Sequence, residues 1–363
     1  MRKSVFVFIL LVVALVVGTV LVYRRQNHDK MEYLAVTGAT PLALAETVPA
    51  GVDLTVDGRV KQVYHFVGTA LRTLATTRLR TREVDPDGNF LGTYAHVGIP
   101  VYNILEGVAP AYPPGTPFDR PLDLVVRFTA RDGRQTFYSY GELTMTDDHL
   151  PVTLAFHRMP VLPSKDPREY TLNRFTEPLT GLRLIAPRDP DTARYLNDVV
   201  RMTLLLPRFP EEMLPLVRKG TDCVAESLTC VSAVAMVPAR FEEVPLRTVT
   251  DWVRVGHGRG FKGIEPAVSG YDMRAFLTLN FPGETEADYF LFVGCDGYRA
   301  LFSGREIFAT TDGEAMLILP GHVREPAAVG YTLAPTADFF VDRDVWGLSH
   351  VVHVTAEAVQ AGS

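Results

Sequence analysis

The sequence predicts an α+β protein that is mainly β, built from two tandem modules behind an N-terminal apolar segment. From about residue 30 onward, short runs rich in β-branched and aromatic residues alternate with Gly, Pro and Asp turn signals. Blocks of the first half recur in the same order in the second half. The length of 363 residues suits two domains of about 150 residues each.

The composition excludes several classes of protein. The chain is 47% apolar and 21% charged, as in a globular protein and unlike a disordered one. Three cysteines are too few for a disulfide scaffold. With 36 basic and 42 acidic residues the net charge is −6, so no electrostatic attraction to nucleic acid is expected.

Residues 5–22 form an uncharged apolar run that predicts a membrane anchor spanning residues 1–30. A helix of that length covers about 27 Å, close to the hydrocarbon thickness of a bilayer. The run is longer than the apolar part of a signal peptide, and Arg24 and Arg25 follow it almost at once. Arg2, Lys3 and the terminal amine slightly outweigh those two charges, which favours an inside N-terminus. We therefore expect a single-pass protein of the cell membrane whose bulk is extracytoplasmic, or periplasmic.

The secondary-structure pattern includes a few short helices between the strands. Apolar spacing predicts a helix over 66–75, and a Pro start with a Gly end predicts one over 100–108. The segments 189–200 and 209–219 are further helix candidates.

The strongest evidence for an internal repeat is the match between residues 125–143 and residues 289–307, which has a constant offset of 164. The matched pairs are Asp132 and Asp296, Gly133 and Gly297, Ser139 and Ser303, and Glu142 and Glu306. The Asp-Gly pairs predict tight hairpin turns. The repeated glutamates suggest a catalytic role, although a helix-start or turn role repeated by duplication explains them more simply.

Two further blocks extend the repeat and set the module boundaries. Residues 98–105 match 270–277 at an offset of 172, with eight extra residues in the Pro-rich loop of the first copy. Downstream, LRLIAPRD is matched with LILPGH, and ARYLNDVVRM with VDRDVWGLSHVVHV. The predicted domains are a first module, a linker and a second, shortened module without the opening section, at 31–207, 208–238 and 239–363.

The cysteines allow two interpretations. Cys223 and Cys230 are seven residues apart in the linker and could close a small disulfide loop, or both could be free buried thiols. Cys295 stands alone in the second module.

The order of blocks in the first copy resembles the molybdopterin-binding domain of the sulfite oxidase family. The blocks are LTVDGRV, LRTLA, TRLRTREV, GIPVYNIL, ARDG and TGLRLIAPRDPDTARYLNDVVRM. The resemblance covers about 52–203 and, more weakly, 252–354. It implies a compact α+β fold that holds molybdenum on a pterin dithiolene, with a protein cysteine as thiolate ligand.

The sequence departs from this family at the metal ligand. The family places its cysteine after the strand that corresponds to TRLRTREV, whereas no cysteine precedes residue 223 here. The comparable region of the second copy also lacks cysteine. The resemblance therefore implies the fold more strongly than the catalysis.

The resemblance also implies cofactor-binding residues. Arg183 and Arg194 match basic positions of the family that would pair with the pterin phosphate, with ordinary surface arginines as the alternative. Arg82 shares a strand face with Arg78 and Arg80. Such a face is typical either of an anion-binding surface or of a solvated sheet edge that resists aggregation.

A glycine-rich stretch at 256–263 adds His257, Arg259 and Lys262 as candidate anion-binding residues. A flexible loop is the alternative. His350 and His353 are three apart, so on a strand they point to opposite faces and do not form a metal pair.

The function expected from these observations is a membrane-anchored binding module with a degenerate cofactor site. Its partner would be a small anionic ligand or an extracytoplasmic protein. The alternative is a molybdopterin-dependent oxidoreductase with a non-cysteine ligand such as Glu83 or a solvent oxygen. A third hypothesis is an anchored subunit that positions a redox partner or electron carrier. The chain would carry no such redox centre itself, because it has no haem-attachment or iron–sulfur cysteine pattern.

Overall fold

The computed structural model describes residues 48, 51–112, 114–116, 118–146, 149–161, 177–210, 214, 225–233, 235–256, 260–283, 286–310, 315–321 and 329–362. Within these ranges no helix is both long and apolar enough to span a bilayer. The predicted anchor at 5–22 lies outside the described residues, as does most of the helix candidate at 209–219.

The first half of the chain forms a nine-stranded sheet with short helices. The strands are β1 (Asp53–Gly58), β2 (Tyr64–Val67), β3 (Thr77–Val84), β4 (Phe90–Pro100), β5 (Val125–Ala130), β6 (Gln135–Ser139), β7 (Thr153–Pro160), β8 (Glu177–Ile185) and β9 (Leu196–Leu205). The helices are α1 (Gly68–Leu71), α2 (Val101–Leu105) and α3 (Tyr140–Thr144), with a 3₁₀ turn at Pro121–Asp123. The strand order is β2-β1-β9-β8-β7-β4-β3, and β5 pairs with both β9 and β6.

The second half forms two smaller sheets, so the prediction of a mainly β chain with short helices is confirmed. Its strands are β10 (Thr229–Val231), β11 (Met236–Pro238), β12 (Leu246–Gly256), β13 (Gly260–Asp272), β14 (Tyr289–Gly294), β15 (Arg299–Ser303), β16 (Met316–Pro320), β17 (Tyr331–Pro335) and β18 (Leu348–Val354). The helices are α4 (Met273–Asn280), α5 (Gly304–Phe308) and α6 (Ala356–Gln360), with a 3₁₀ turn at Val341–Arg343. The sheet orders are β11-β10-β18-β14-β15 and β12-β13-β16-β17.

The strand pairings of the two halves correspond. β1 runs parallel to β9, and β10 runs parallel to β18. Hairpins β3–β4 and β7–β8 correspond to β12–β13 and β16–β17. In the hairpins β5–β6 and β14–β15, Val125 faces Ser139 and Tyr289 faces Ser303, which reproduces the sequence offset of 164.

Two features of the repeat differ from the sequence prediction. Strand β10 lies in the stretch predicted to be a linker and takes the position beside β18 that β1 takes beside β9. The pairings also make β17 the counterpart of β8 in the repeat. The sequence prediction matched β8 with LILPGH, which belongs to β16, the counterpart of β7. The short apolar runs of β10 and β16 resemble many others in the chain, and only their hydrogen-bonded neighbours identify them.

The helix predicted over 189–200 is wrong, because Leu196 begins strand β9. The buried residues Leu196 and Val199 are three apart, a helical spacing, but Asp198 has a positive φ of 56° and shifts the strand register between them. The helices predicted over 66–75 and 100–108 are present in shorter form, as α1 and α2.

Each half has its own apolar core, and a third cluster joins the halves. Val125 and Phe137 of the β5–β6 hairpin pack in one cluster with Leu291, Leu301 and Val352 of the second half. The repeated hairpins therefore lie at the boundary between the halves, which we call the seam.

Candidate functional site

Arg183 lies in a buried ion cluster of the first half. Its Nη2 atom is 2.7 Å from Oε2 of Glu83, and Nε2 of His96 is 3.0 Å from Oε1 of the same carboxylate. Burial alone would raise the pKa of Glu83, but the His96 hydrogen bond and the Arg183 charge outweigh it and lower that pKa. The carboxylate therefore neutralises the guanidinium that the resemblance assigns to a pterin phosphate.

Arg194 is also paired with buried carboxylates, and it lies at the seam. Its Nη2 atom is 2.6 Å from Oε1 of Glu142 and 2.5 Å from Oδ1 of Asp189. Its guanidinium lies 4.2 Å from the centroid of the Tyr138 ring. Burial opposes the charged form, yet the carboxylates of Glu142 and Asp189 raise the pKa of Arg194 well above its ordinary value.

A second cluster repeats this arrangement in the other half. Nη2 of Arg343 is 2.6 Å from Oε1 of Glu306 and 2.5 Å from Oδ1 of Asp338. Its guanidinium lies 4.2 Å from the Phe302 ring centroid. Burial raises the pKa of Glu306 to about 7, and the nearby Glu142 adds to the effect against the charge of Arg343.

The two clusters touch across the seam through the repeated serines. Ser139 caps α3 by accepting from the Glu142 backbone N–H, and Ser303 caps α5 by accepting from the Glu306 backbone N–H. The Ser139 hydroxyl lies 3.4 Å from Oε2 of Glu306, and the Ser303 hydroxyl lies 3.0 Å from Oε2 of Glu142. Both glutamates therefore have the helix-start position that the simpler interpretation assigned to them.

Sequence reasoning did not single out the aspartates of these clusters, or Arg343. A signal was present, because Asp189 and Arg194 are five residues apart, as are Asp338 and Arg343. Matching LRLIAPRD with LILPGH concealed this spacing, which appears only when β8 is matched with β17.

The remaining predicted residues are dispersed. Arg78, Arg80 and Arg82 share the exposed face of β3, an edge strand, as in the solvated-edge alternative. Lys262 lies on β13 and lines a cavity at the seam. His257 and Arg259 lie outside the described residues.

The end of β3, where the family's cysteine would follow, corresponds to the end of β12. Glu83 faces Gly92 and Arg254 faces Gly263, each directly before a register shift. The buried side chain at this position is therefore acidic in the first half and basic in the second. Nη2 of Arg254 lies 3.4 Å from Oδ2 of Asp344. Burial raises the pKa of Asp344 to about 8 despite this neighbour. Both positions hold ion pairs within the protein.

The described cysteines do not supply a thiolate ligand. Cys230 is free and buried, and burial raises its pKa to about 12. Because Cys230 is free, the interpretation of Cys223 and Cys230 as a disulfide is wrong. Cys295 is disulfide-bonded. Since the thiolate is the metal-binding form of cysteine, these residues do not fit a molybdenum dithiolene centre. The described residues also contain no group of three or more His, Cys, Asp or Glu placed to hold a metal ion.

Two adjoining cavities open at the seam, and Arg120 and Asp342 line both. The first has a volume of about 260 Å³ and a wall of mixed character, in which Lys262 and Asp344 lie beside Val341 and Trp346. The second has a volume of about 470 Å³. Its wall is mostly apolar, with Leu105, Val108, Leu122 and Met145, but it also contains Glu106 and Thr144. We call the two together the seam cavities.

Comparison with known proteins finds a distant likeness among solved structures. No protein-family model matches the sequence, and neither does any curated protein. Among solved structures, the chain is similar to the sulfane dehydrogenase SoxCD from Paracoccus pantotrophus, with 11% sequence identity and a TM-score of 0.31. The match covers 55% of this chain and 47% of that one, so the chain spans about half the length of the structure it matches.

Proposed function

We propose that the chain is a non-catalytic binding module, made of two copies of a sulfite-oxidase-like fold whose cofactor site has degenerated. The observation that carries this proposal is the pairing of Arg183 with Glu83 and of Arg194 with Glu142 and Asp189. Guanidinium groups neutralised by buried carboxylates are poor receptors for a phosphate, because the anion would have to displace a charge-assisted bond and leave a carboxylate unpaired.

The corresponding strand pairings of the two halves support the duplication. The reciprocal contacts of Ser139 and Ser303 at the seam also support it, since a duplicated domain that packs against itself presents the same surface twice. In this proposal the repeated glutamates hold the two copies together, and the seam cavities are the binding site.

The proposal retains the membrane anchor at 5–22 and an extracytoplasmic location for the bulk of the chain. Support comes from the length and apolar composition of that run and from the charges beside it. Protease added outside intact spheroplasts should degrade the chain. Degradation that requires lysis of the spheroplasts would contradict this orientation.

Metal analysis separates this proposal from the alternative oxidoreductase. The full chain is purified from cells that make the molybdenum cofactor, and molybdenum is measured per chain. We expect far less than about one atom per chain, because the described residues offer no thiolate to hold it. Close to one atom per chain would overturn the proposal in favour of an oxidoreductase with a non-cysteine ligand.

A further inference from the structure

The distal end of the β12–β13 hairpin has an exposed apolar face. Val253 lies opposite Ile264 and Val255 lies opposite Phe261, so these four side chains point to the same side of the hairpin. Val253, Ile264 and Phe261 are 49%, 56% and 67% exposed, and Val255 is half-buried. Phe339, which is 44% exposed, lines a cavity together with Val253 and Val255. We call these five residues the hairpin face.

The other side of the same hairpin is buried. Trp252 packs in an apolar cluster with Leu317 and Val341, and Arg254 is paired with Asp344. One side therefore holds the hairpin against the second half, and the apolar side faces outward. Neighbouring exposed apolar side chains indicate a docking surface, whereas scattered ones do not.

The first half supplies a comparison at the corresponding position of the β3–β4 hairpin. There Arg82 lies opposite Thr93, where the second half has Val253 opposite Ile264. The charge of Arg82 keeps that side of β3–β4 in water, because a charged group is costly to transfer into an apolar phase. The hairpin face lacks this charge and is nevertheless exposed, which indicates that it meets an apolar partner.

The size of the hairpin face favours a lipid bilayer over a protein as this partner. Its exposed side chains present on the order of a few hundred Å², less than the about 800 Å² that each partner buries in a specific protein interface. Because the proposed anchor already holds the chain at the bilayer, a small apolar contact adds to binding as an intramolecular one. The sequence that joins the two strands contains His257 and Arg259 and no acidic residue, which favours a surface with anionic lipids.

The chain between the anchor and the fold is long enough for this face to reach the membrane. Residues 23–47 connect the apolar run 5–22 to Val48, which packs in the core of the first half. A chain of that length spans up to about 85 Å. A globular unit of this size is expected to be roughly 50 Å across, so the anchor restricts no face of the protein to the side away from the bilayer.

We propose that the hairpin face docks on the lipid bilayer, with Phe261 and Ile264 inserted between the lipids. This contact goes beyond the proposed function and rests only on its membrane anchor. It would fix which side of the second half faces the membrane.

Quenching of tryptophan fluorescence by brominated lipids tests the contact. The full chain is reconstituted in vesicles of phosphatidylcholine and phosphatidylglycerol, with and without bromine on the acyl chains. Phe261→Trp adds one tryptophan to the two native ones, and the wild type supplies the background to subtract. Phe90→Trp is the matched control, because Phe90 lies opposite Val84 as Phe261 lies opposite Val255 and is 66% exposed.

We expect bromine to remove most of the added emission of Phe261→Trp and little of that of Phe90→Trp, because bromine quenches only groups that enter the acyl region. Equal quenching of the two variants, or no quenching of Phe261→Trp, would overturn the proposal. Added emission that changes with the number of chains per vesicle, and not with bromine, would assign the hairpin face to a second copy of the chain instead.

A second variant carries the residues of the first half on the hairpin face. Val253→Arg with Ile264→Thr, combined with Phe261→Trp, should lose the quenching, and unchanged quenching would contradict a contact through this face. Flotation of the same vesicles separates this proposal from the anchor. A chain that does not float with them would overturn both, whereas a chain that floats without quenching at Phe261→Trp would refute the hairpin contact and leave the proposed function intact.

Discussion

Ser303 donates a hydrogen bond to Oε2 of Glu142 at 3.0 Å across the seam. The partner of this contact in the repeat is Ser139 with Glu306, so each serine caps its own helix and also contacts the carboxylate of the other half. Each carboxylate in turn binds an arginine of its own half, Arg194 or Arg343. Packing of the two halves and pairing of their buried charges are therefore one arrangement, and changes to these groups should alter stability.

The first prediction concerns Glu306 and pH. Burial raises its pKa from 4.5 to about 7, so between these values the folded state holds more protons than the unfolded state. The contribution of this group to stability is complete below about pH 4.5 and is lost as the pH rises toward about 7. Glu306→Gln removes the titration, so its stability relative to the wild type should increase from about pH 5 to about pH 8, by on the order of 1–3 kcal/mol.

The measurement is urea unfolding of both proteins across that range of pH. Glu226→Gln is the control, because Glu226 is exposed and its substitution should leave the pH profile unchanged. A constant difference between Glu306→Gln and the wild type at every pH would show that Glu306 does not titrate in this window.

The second prediction concerns Arg183 and Glu83. If this pair is structural, Arg183→Met should destabilise the cofactor-free protein by about 3–5 kcal/mol, because it removes the guanidinium that neutralises the buried Glu83 carboxylate. Glu83→Met should also destabilise it. The loss of stability in the double variant should be smaller than the sum of the two single losses, by at least about 1 kcal/mol. A double-mutant cycle in urea measures this difference.

A cofactor role for Arg183 predicts a different result. A guanidinium kept for an absent phosphate would contribute little to the stability of the empty protein, so Arg183→Met would cost less than about 0.5 kcal/mol. Arg82→Met, on the exposed face of β3, is the matched control and should have an effect of that smaller size.

The third prediction concerns Gly98, which faces Ala155 on β7. A Cβ atom at Gly98 would lie 2.6 Å from the Leu154 carbonyl oxygen and 2.7 Å from the Ala155 Cα. Because strand β7 would have to shift its backbone to make room, Gly98→Ala should destabilise the fold by about 1–3 kcal/mol in thermal or urea unfolding. At Gly107 the same atom would meet nothing closer than 3.4 Å, so Gly107→Ala should have a clearly smaller effect.

The fourth prediction is a thiol count. With Cys295 in a disulfide and Cys230 free, three cysteines per chain leave one thiol. Denatured, unreduced protein should react with about one equivalent of a thiol reagent per chain, and Cys230→Ala with none. The folded protein should react slowly, because the thiol is buried and its pKa is raised to about 12. Three reactive thiols in unreduced protein would contradict the disulfide.

The sequence repeat predicted the registers of the repeated hairpins. A shift of one residue would turn the buried face of a strand toward solvent, so both copies keep the same register and the same sequence offset. Val125 and Tyr289 face Ser139 and Ser303 as the offset of 164 requires. Pattern matching failed for β10 and β17, since short apolar runs look alike until their neighbours in the sheet are known. The solvated-edge interpretation of Arg78, Arg80 and Arg82 followed from the period of a strand and agrees with their exposure.

The sequence alone determined the mainly β class and the register of the repeated hairpins, because both depend on residues close together in the chain. The tertiary structure decided which groups the arginines contact. Glu142 and Arg194 are 52 positions apart, and Glu83 and Arg183 are 100 apart, so no local pattern shows that they meet. Packing brings them together out of water, where an arginine without a carboxylate would be too costly to bury.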